Sequence, residues 1–76
     1  MSKSRESFVR LAENRTRRAL KDIRLIGNLS NRSNYAWTTD DVSKIFAALD
    51  REIRETRQRF KDEERTTQDI DFSLEK

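Results

Sequence analysis

The sequence predicts an all-α protein made of two amphipathic helices joined by one polar connection. Its 76 residues include no Pro and a single Gly, so only one strong helix breaker interrupts the chain. Apolar residues recur at helical spacing on both sides of that glycine. A content of 41% charged and 33% hydrophobic residues is by itself typical of a disordered chain, but the helical period favours a folded one.

The first helix is predicted over residues 7 to 26. Ser4 or Ser7 is its candidate N-cap, because a serine hydroxyl accepts hydrogen bonds from the first turn. Gly27 stands where a helix ending in left-handed backbone places its C′ residue. One arc of about 120° on the helical wheel holds the apolar positions Phe8, Val9, Ala12, Thr16, Ala19, Leu20, Ile23 and Ile26.

The second helix is predicted over residues 39 to 64. The run Thr38-Thr39-Asp40-Asp41 offers a threonine N-cap with a carboxylate in the first turn, where the helix dipole favours negative charge. After this start, apolar positions alternate spacings of four and three, which is the strongest periodic signal in the chain. This heptad seam consists of Val42, Phe46, Leu49, Ile53, Thr56 and Phe60.

The connection, residues 27 to 38, is rich in Asn and Ser, whose side chains hydrogen-bond nearby backbone and favour turns. It is longer than two antiparallel helices require, so we expect a structural or binding role. Tyr35 and Trp37 would either fold back to cap the open end of a hairpin core or stay exposed for binding. The predicted partner-binding residues are Asn31, Arg32, Asn34, Tyr35 and Trp37.

Residues 66 to 76 are predicted to be a flexible acidic tail, which leaves residues 1 to 65 as the helical domain. Ile70, Phe72 and Leu74 alternate with polar residues, a period typical of extended chain. Such a segment could add as a strand to a partner's sheet edge. The other interpretations are a frayed terminus and a tail that folds back onto the basic first helix.

Self-association is expected because a chain this short buries little surface on folding, which leaves the monomer only a small free energy of unfolding. With no Cys and no His, disulfides and the usual metal ligands cannot compensate. We therefore predict an antiparallel helical hairpin that pairs as a homodimeric four-helix bundle. The predicted dimer core is Val9, Leu20, Ile23, Phe46, Leu49 and Ile53.

The lack of Cys and His also removes most nucleophilic and general-base chemistry. The acidic pair Asp40 and Asp41 is explained by helix capping. We expect no enzyme, no catalytic residue, no metal, no cofactor and no small-molecule substrate. No apolar run approaches the roughly 20 residues of a membrane span, and no signal-peptide core precedes the first helix. These features predict a cytoplasmic protein without a membrane partner.

Basic residues concentrate in the first half of the sequence. Residues 1 to 34 hold nine Lys or Arg against three Asp or Glu, while residues 35 to 76 hold eight against eleven. One interpretation is a phosphate-binding stripe for nucleic acid, and the other is an ordinary solvated helix face. The candidate nucleic-acid-binding residues are Arg10, Arg17, Arg18, Lys21, Arg24 and Arg32.

Two stretches carry a resemblance: IRLIGNLSNRSNY at residues 23 to 35 and DVSKIF at residues 41 to 46. They resemble small bacterial proteins of uncharacterised activity, so the resemblance implies no function. In architecture the chain is similar to the plasmid RNA-binding hairpin Rop, which combines two helices, a dimeric bundle and a polar acidic tail. The connection here is longer, and no functional residue carries over.

The sequence therefore favours a non-enzymatic interaction protein, a bacterial, plasmid or phage adaptor or modulator. It would bind a protein partner through the connection, the basic helix face and the tail. The alternative is a nucleic-acid-binding regulator that places the arginine stripe on phosphates. A third hypothesis, a basic helix lying on a membrane surface, is less well matched because the apolar arc suits a helix partner.

Overall fold

The computed structural model describes the backbone of residues 4 to 70 and the side chains of residues 4 to 65. Helix α1 is Arg5–Gly27, a 3₁₀ turn follows at Asn28–Ser30, and helix α2 is Thr39–Ile70. No strand occurs between residues 4 and 70. The all-α class and the order of two helices are thereby confirmed.

The chain divides into two units between Trp37 and Thr38. The first unit holds α1, the 3₁₀ turn and the loop of residues 31 to 37, and the second holds α2 with its N-cap. The antiparallel packing of the two helices and their pairing into a four-helix bundle stay predictions.

Helix α1 starts two residues before its predicted first residue. Ser4 is the N-cap, but its hydroxyl makes no capping hydrogen bond. Instead, the Ser4 carbonyl oxygen accepts a hydrogen bond from the Phe8 N–H at 2.8 Å. The first turn is therefore held by the backbone, and Glu6 places a carboxylate near the positive end of the helix dipole.

The left-handed ending predicted at Gly27 is wrong. Gly27 has right-handed backbone, with φ −60° and ψ −29°. The chain leaves α1 by tightening into the 3₁₀ turn, and backbone N–H groups at the Asn28 C-cap donate to the carbonyl oxygens of Arg24, Leu25 and Ile26. Since these bonds satisfy carbonyls that a helix end otherwise leaves open, no left-handed residue is needed there.

Helix α2 begins at the predicted threonine cap. The Thr38 hydroxyl oxygen accepts a hydrogen bond from the Asp41 N–H at 3.0 Å, and the Asp41 carboxylate accepts one from the Thr38 N–H at 2.9 Å. This reciprocal pair is a capping box that satisfies two backbone donors at once. One turn on, an exposed ion pair joins Asp40 and Lys44 at 3.1 Å.

The second helix ends later than predicted. It continues to Ile70, so residues 66 to 70 have helical backbone and not the extended backbone that their alternating pattern predicts. No Gly or Pro lies between residues 64 and 70, and each residue added to a formed helix gains another backbone hydrogen bond. The remainder of the predicted tail, including Phe72 and Leu74, lies outside the described residues.

Both helices carry apolar faces that stay open to solvent. None of residues 4 to 65 is buried. Within the predicted dimer core, Leu20, Ile23, Phe46 and Ile53 are exposed, whereas Val9 and Leu49 are half-buried. The other half-buried residues of this range are Ala12, Ile26, Trp37 and Val42.

Candidate interaction site

The loop after α1 is organised around Asn31. The Asn31 carbonyl oxygen accepts hydrogen bonds from the N–H groups of Asn34 at 3.1 Å and of Tyr35 at 3.0 Å. Its side-chain oxygen accepts a third bond from the Ser33 N–H at 2.9 Å, which forms an Asx turn. One residue thus satisfies three backbone donors and sets the path of the loop.

The Trp37 side chain at the end of the loop hydrogen-bonds to the residue that precedes the loop. Its indole Nε1–H donates to the carbonyl oxygen of Ser30 at 3.2 Å, and Ser30 is the last residue of the 3₁₀ turn. The hydrogen bond satisfies the polar edge of a side chain that is otherwise apolar. Trp37 therefore folds back onto the start of the loop and is its one half-buried residue.

Arg32 stacks on the folded-back ring. Its guanidinium carbon lies 3.7 Å from the centre of the Trp37 ring, well within the range of a cation–π interaction. The sequence has no Asp or Glu between Asp22 and Asp40, and Arg32 makes no ion pair within residues 4 to 65. Because stacking uses the face of the guanidinium, its N–H donors remain free for an external acceptor.

Two more predicted partner-binding residues are placed by the same turn. Tyr35 is 48% exposed, and its N–H is fixed to the Asn31 carbonyl oxygen. Asn34 is also exposed and donates its N–H to that oxygen. The structure therefore brings Arg32 and Trp37 into contact, and Asn31 separately holds the N–H groups of Asn34 and Tyr35.

Two serines contribute to this site but were absent from the sequence prediction. Ser30 provides the carbonyl oxygen for Trp37, and Ser33 provides the N–H for the Asn31 side chain. Both act through backbone atoms, so residue type alone does not mark them. Only the Asn-x-Ser spacing of residues 31 to 33, which suits an Asx turn, points to the second contact.

The predicted nucleic-acid-binding set separates into three parts. Arg10, Arg17, Lys21 and Arg24 lie on one face of α1, within an arc of about 60°, and all four are exposed. Arg18 lies about 100° from Arg17 on the same helix. Arg32 is outside α1, on the Trp37 ring. The basic face of α1 therefore contains four of the six candidate residues.

One member of this face is already engaged. Arg17 lies 3.6 Å from a Glu13 carboxylate oxygen and donates to the Asn14 side-chain oxygen at 3.2 Å. Both contacts are exposed and within one helix, where such pairs are weak. A phosphate could displace them at little cost, so Arg17 stays available as a ligand.

Other features of the described residues point to no further chemistry. No group of three or more His, Cys, Asp or Glu side chains in this part of the chain could hold a metal ion. A shallow depression on α1 is lined by Ala12, Glu13, Thr16 and Arg17, which surround no enclosed space. Within residues 4 to 70, neither helix combines the length and the apolar character that crossing a membrane requires.

The chain matches no protein-family model, and comparisons with curated proteins and with solved structures give no match. The loop and the two helix faces are therefore the basis on which a function is assigned.

Proposed function

We propose that this protein is a non-enzymatic interaction protein that presents the loop of residues 31 to 37 to a protein partner. The observation that carries this proposal is the stack of Arg32 on Trp37 at 3.7 Å. It sits in a loop held by its own hydrogen bonds. A binding surface ordered before binding loses less conformational entropy when the partner arrives.

The chemistry of the loop favours an acidic protein surface as partner. Arg, Trp and Tyr are the residue types enriched in interface hot spots. Arg32 carries a charge with no ion-pair partner among residues 4 to 65, and its planar fork suits a carboxylate. Tyr35 adds exposed aromatic area in the same loop. Together they form a cationic and aromatic surface.

Homodimerisation is the second part of the proposed function. The open apolar faces of α1 and α2 are covered if the helices pack as an antiparallel hairpin and two hairpins pair as a four-helix bundle. Such a homodimer would display two copies of the loop, and an adaptor that binds twice gains apparent affinity through effective concentration.

The test is comparative capture from a bacterial lysate by the immobilised full chain. Proteins retained by the wild type should be lost when Arg32→Gln removes the charge and the stack. The matched control is Arg18→Gln, because Arg18 is an exposed arginine of α1 outside the loop. Retention of the same proteins by the Arg32→Gln variant would overturn the role of the loop.

A nucleic-acid-binding regulator is the second candidate, favoured by the four exposed cations on one face of α1. A polarisation titration with labelled RNA and DNA should then show binding that weakens steeply with salt. The Arg17→Glu/Lys21→Glu variant should abolish it. The control Arg5→Glu/Arg15→Glu changes net charge equally, at two exposed arginines of α1 that lie off that face and outside the candidate nucleic-acid-binding set. Absence of binding at low salt would remove this candidate.

A further inference from the structure

Among the described residues 4 to 65, none buries the heptad seam of α2, an apolar stripe interrupted only by Thr56. It runs from Val42 to Phe60, about 27 Å along the helix axis. Four of its residues are exposed: Thr56 and three large apolar residues, Phe46 at 46%, Ile53 at 47% and Phe60 at 60%. In coiled-coil notation, Phe46, Ile53 and Phe60 occupy a positions and Val42, Leu49 and Thr56 occupy d positions.

Two charged residues that flank this seam have no favourable neighbour in their own helix. Glu52, at a g position, has Leu49, Ala48, Glu55 and Thr56 at distances of three and four residues. Arg57, at an e position, has Arg54, Ile53, Phe60 and Lys61 at those distances. Like charges at such spacings destabilise an isolated helix. Neither Glu52 nor Arg57 makes an ion pair or side-chain hydrogen bond within residues 4 to 65.

A second copy of α2, packed in parallel and in register, gives Glu52 and Arg57 the oppositely charged neighbours that they lack in their own helix. In a parallel two-stranded coiled coil, a g residue faces the e residue that lies five positions later in the other helix. Glu52 then faces Arg57 of the second copy, and symmetry repeats the contact. One heptad later, Arg59 faces Glu64 of the second copy in the same way. Four oppositely charged pairs thus flank one apolar seam.

In an antiparallel pair, Glu52 and Arg57 would instead face residues that already have an opposite charge nearby in their own helix. There, g faces g and e faces e, so Glu52 would meet Arg59 and Arg57 would meet Asp50. Arg59 and Asp50, however, already have opposite charges four residues away in their own helix, at Glu55 and Arg54. The two residues that lack such a neighbour, Glu52 and Arg57, satisfy each other in the parallel arrangement.

From this pattern we infer that α2 is the homodimerisation helix, and that two copies pack in parallel and in register along the heptad seam. Glu52 and Arg57 select this register. The inference rests on the self-association in the proposed function and specifies its geometry: a twofold axis runs along the α2 pair, and the two capping boxes of Thr38 and Asp41 lie at the same end of that pair. A parallel α2 pair is compatible with a four-helix bundle whose twofold axis follows the helices.

Charge reversal with rescue tests the pairing, measured as the dimer dissociation constant of the full chain by sedimentation equilibrium. Glu52→Arg turns two attractive pairs into repulsive ones and should weaken the dimer about tenfold. Its helix content should not fall, because Arg at position 52 gains Glu55 as an opposite charge three residues away. Adding Arg57→Glu should restore the dimer to within about twofold of the wild type.

A second double variant, Glu52→Arg combined with Arg59→Glu, distinguishes a parallel dimer from an antiparallel one. In a parallel dimer, Glu52→Arg combined with Arg59→Glu creates further like-charged pairs, so association should weaken more. In an antiparallel dimer, the same combination restores the Glu52–Arg59 contact. Rescue by Arg59→Glu in place of Arg57→Glu would therefore overturn the parallel register while leaving self-association intact.

Disulfide trapping gives an independent measurement, since the chain has no native Cys. Val42→Cys places two thiols side by side at a d layer of a parallel dimer, within disulfide reach, and mild oxidation should yield covalent dimer. In an antiparallel dimer those thiols lie at opposite ends of the seam. Arg51→Cys, on the outer face of α2, is the control and should stay uncrosslinked. A wild-type chain that sediments as a monomer at micromolar concentration would overturn self-association itself, whereas the loop's capture of a partner would be unaffected.

Discussion

The guanidinium of Arg32 lies 3.7 Å above the Trp37 ring, although the two residues are five positions apart in an irregular segment. The ring is held from its edge by the hydrogen bond to the Ser30 carbonyl oxygen at 3.2 Å. Trp37 is thus held at its edge by a polar contact while its face contacts the cation. All of these contacts lie within residues 30 to 37, so the loop carries its own order.

Loss of the stack should be visible in tryptophan fluorescence, because Trp37 is the only tryptophan. The Arg32→Gln variant removes a cation–π contact worth roughly 0.5–1 kcal/mol at an exposed site. We expect emission at longer wavelength and faster quenching by acrylamide. The Arg18→Gln control should leave both unchanged. Equal quenching constants for wild type and the Arg32→Gln variant would contradict the stack.

The capping box at the start of α2 should contribute to helix stability. Thr38→Ala removes the hydroxyl that accepts from the Asp41 N–H, at a cost of about 1 kcal/mol. Circular dichroism should show less helix and a lower melting temperature. Thr38→Ser keeps the hydroxyl and should behave like the wild type. A Thr38→Ala variant that melts at the wild-type temperature would show that the cap is dispensable.

Replacing the glycine at the end of α1 should stabilise the protein. Gly27 has helical φ and ψ, and a Cβ added there meets nothing within 4 Å. Gly27→Ala therefore lowers the entropy of the unfolded chain without strain, and we expect a gain of about 0.5–1 kcal/mol. Urea unfolding followed by circular dichroism measures it. Destabilisation would indicate a left-handed ending at Gly27, contrary to the observed backbone.

The apolar seam of α2 should govern the mass of the particle in solution. Light scattering at micromolar concentration should give about twice the 9.1 kDa chain mass if the chain dimerises. Phe46→Gln/Ile53→Gln should reduce it to the monomer value. The control Lys44→Gln/Arg51→Gln introduces the same residues at the same spacing on the outer face and should leave the dimer intact. Equal masses for the two variants would contradict a role for the seam.

Helix starts were predictable from the sequence where short-range chemistry decides them. Thr38 and Asp41 satisfy each other's backbone groups across one turn, so four residues contain the whole interaction. Helix ends were less predictable. Gly27 is able to adopt left-handed backbone, but a 3₁₀ turn satisfied the same carbonyl oxygens, and the choice between these endings is made by geometry that residue type does not encode.

The residue types of the candidate site were predictable, but their contacts were not. Asn31, Arg32, Asn34, Tyr35 and Trp37 stood out as polar and aromatic residues in an overlong connection. An irregular segment has no period from which to infer which side chains meet. The Asx turn is local enough to follow from spacing, whereas the Trp37 contact with Ser30 spans seven positions.

The sequence by itself determined the helical class, the cap of α2 and the faces on which apolar and basic residues lie. These follow from a fixed period and from contacts within one turn. Only the tertiary structure decided that Trp37 returns to Ser30 and that Arg32 stacks on it. The physical reason is that loop contacts depend on the path of the backbone, which the three hydrogen bonds accepted by Asn31 set and which no sequence period encodes.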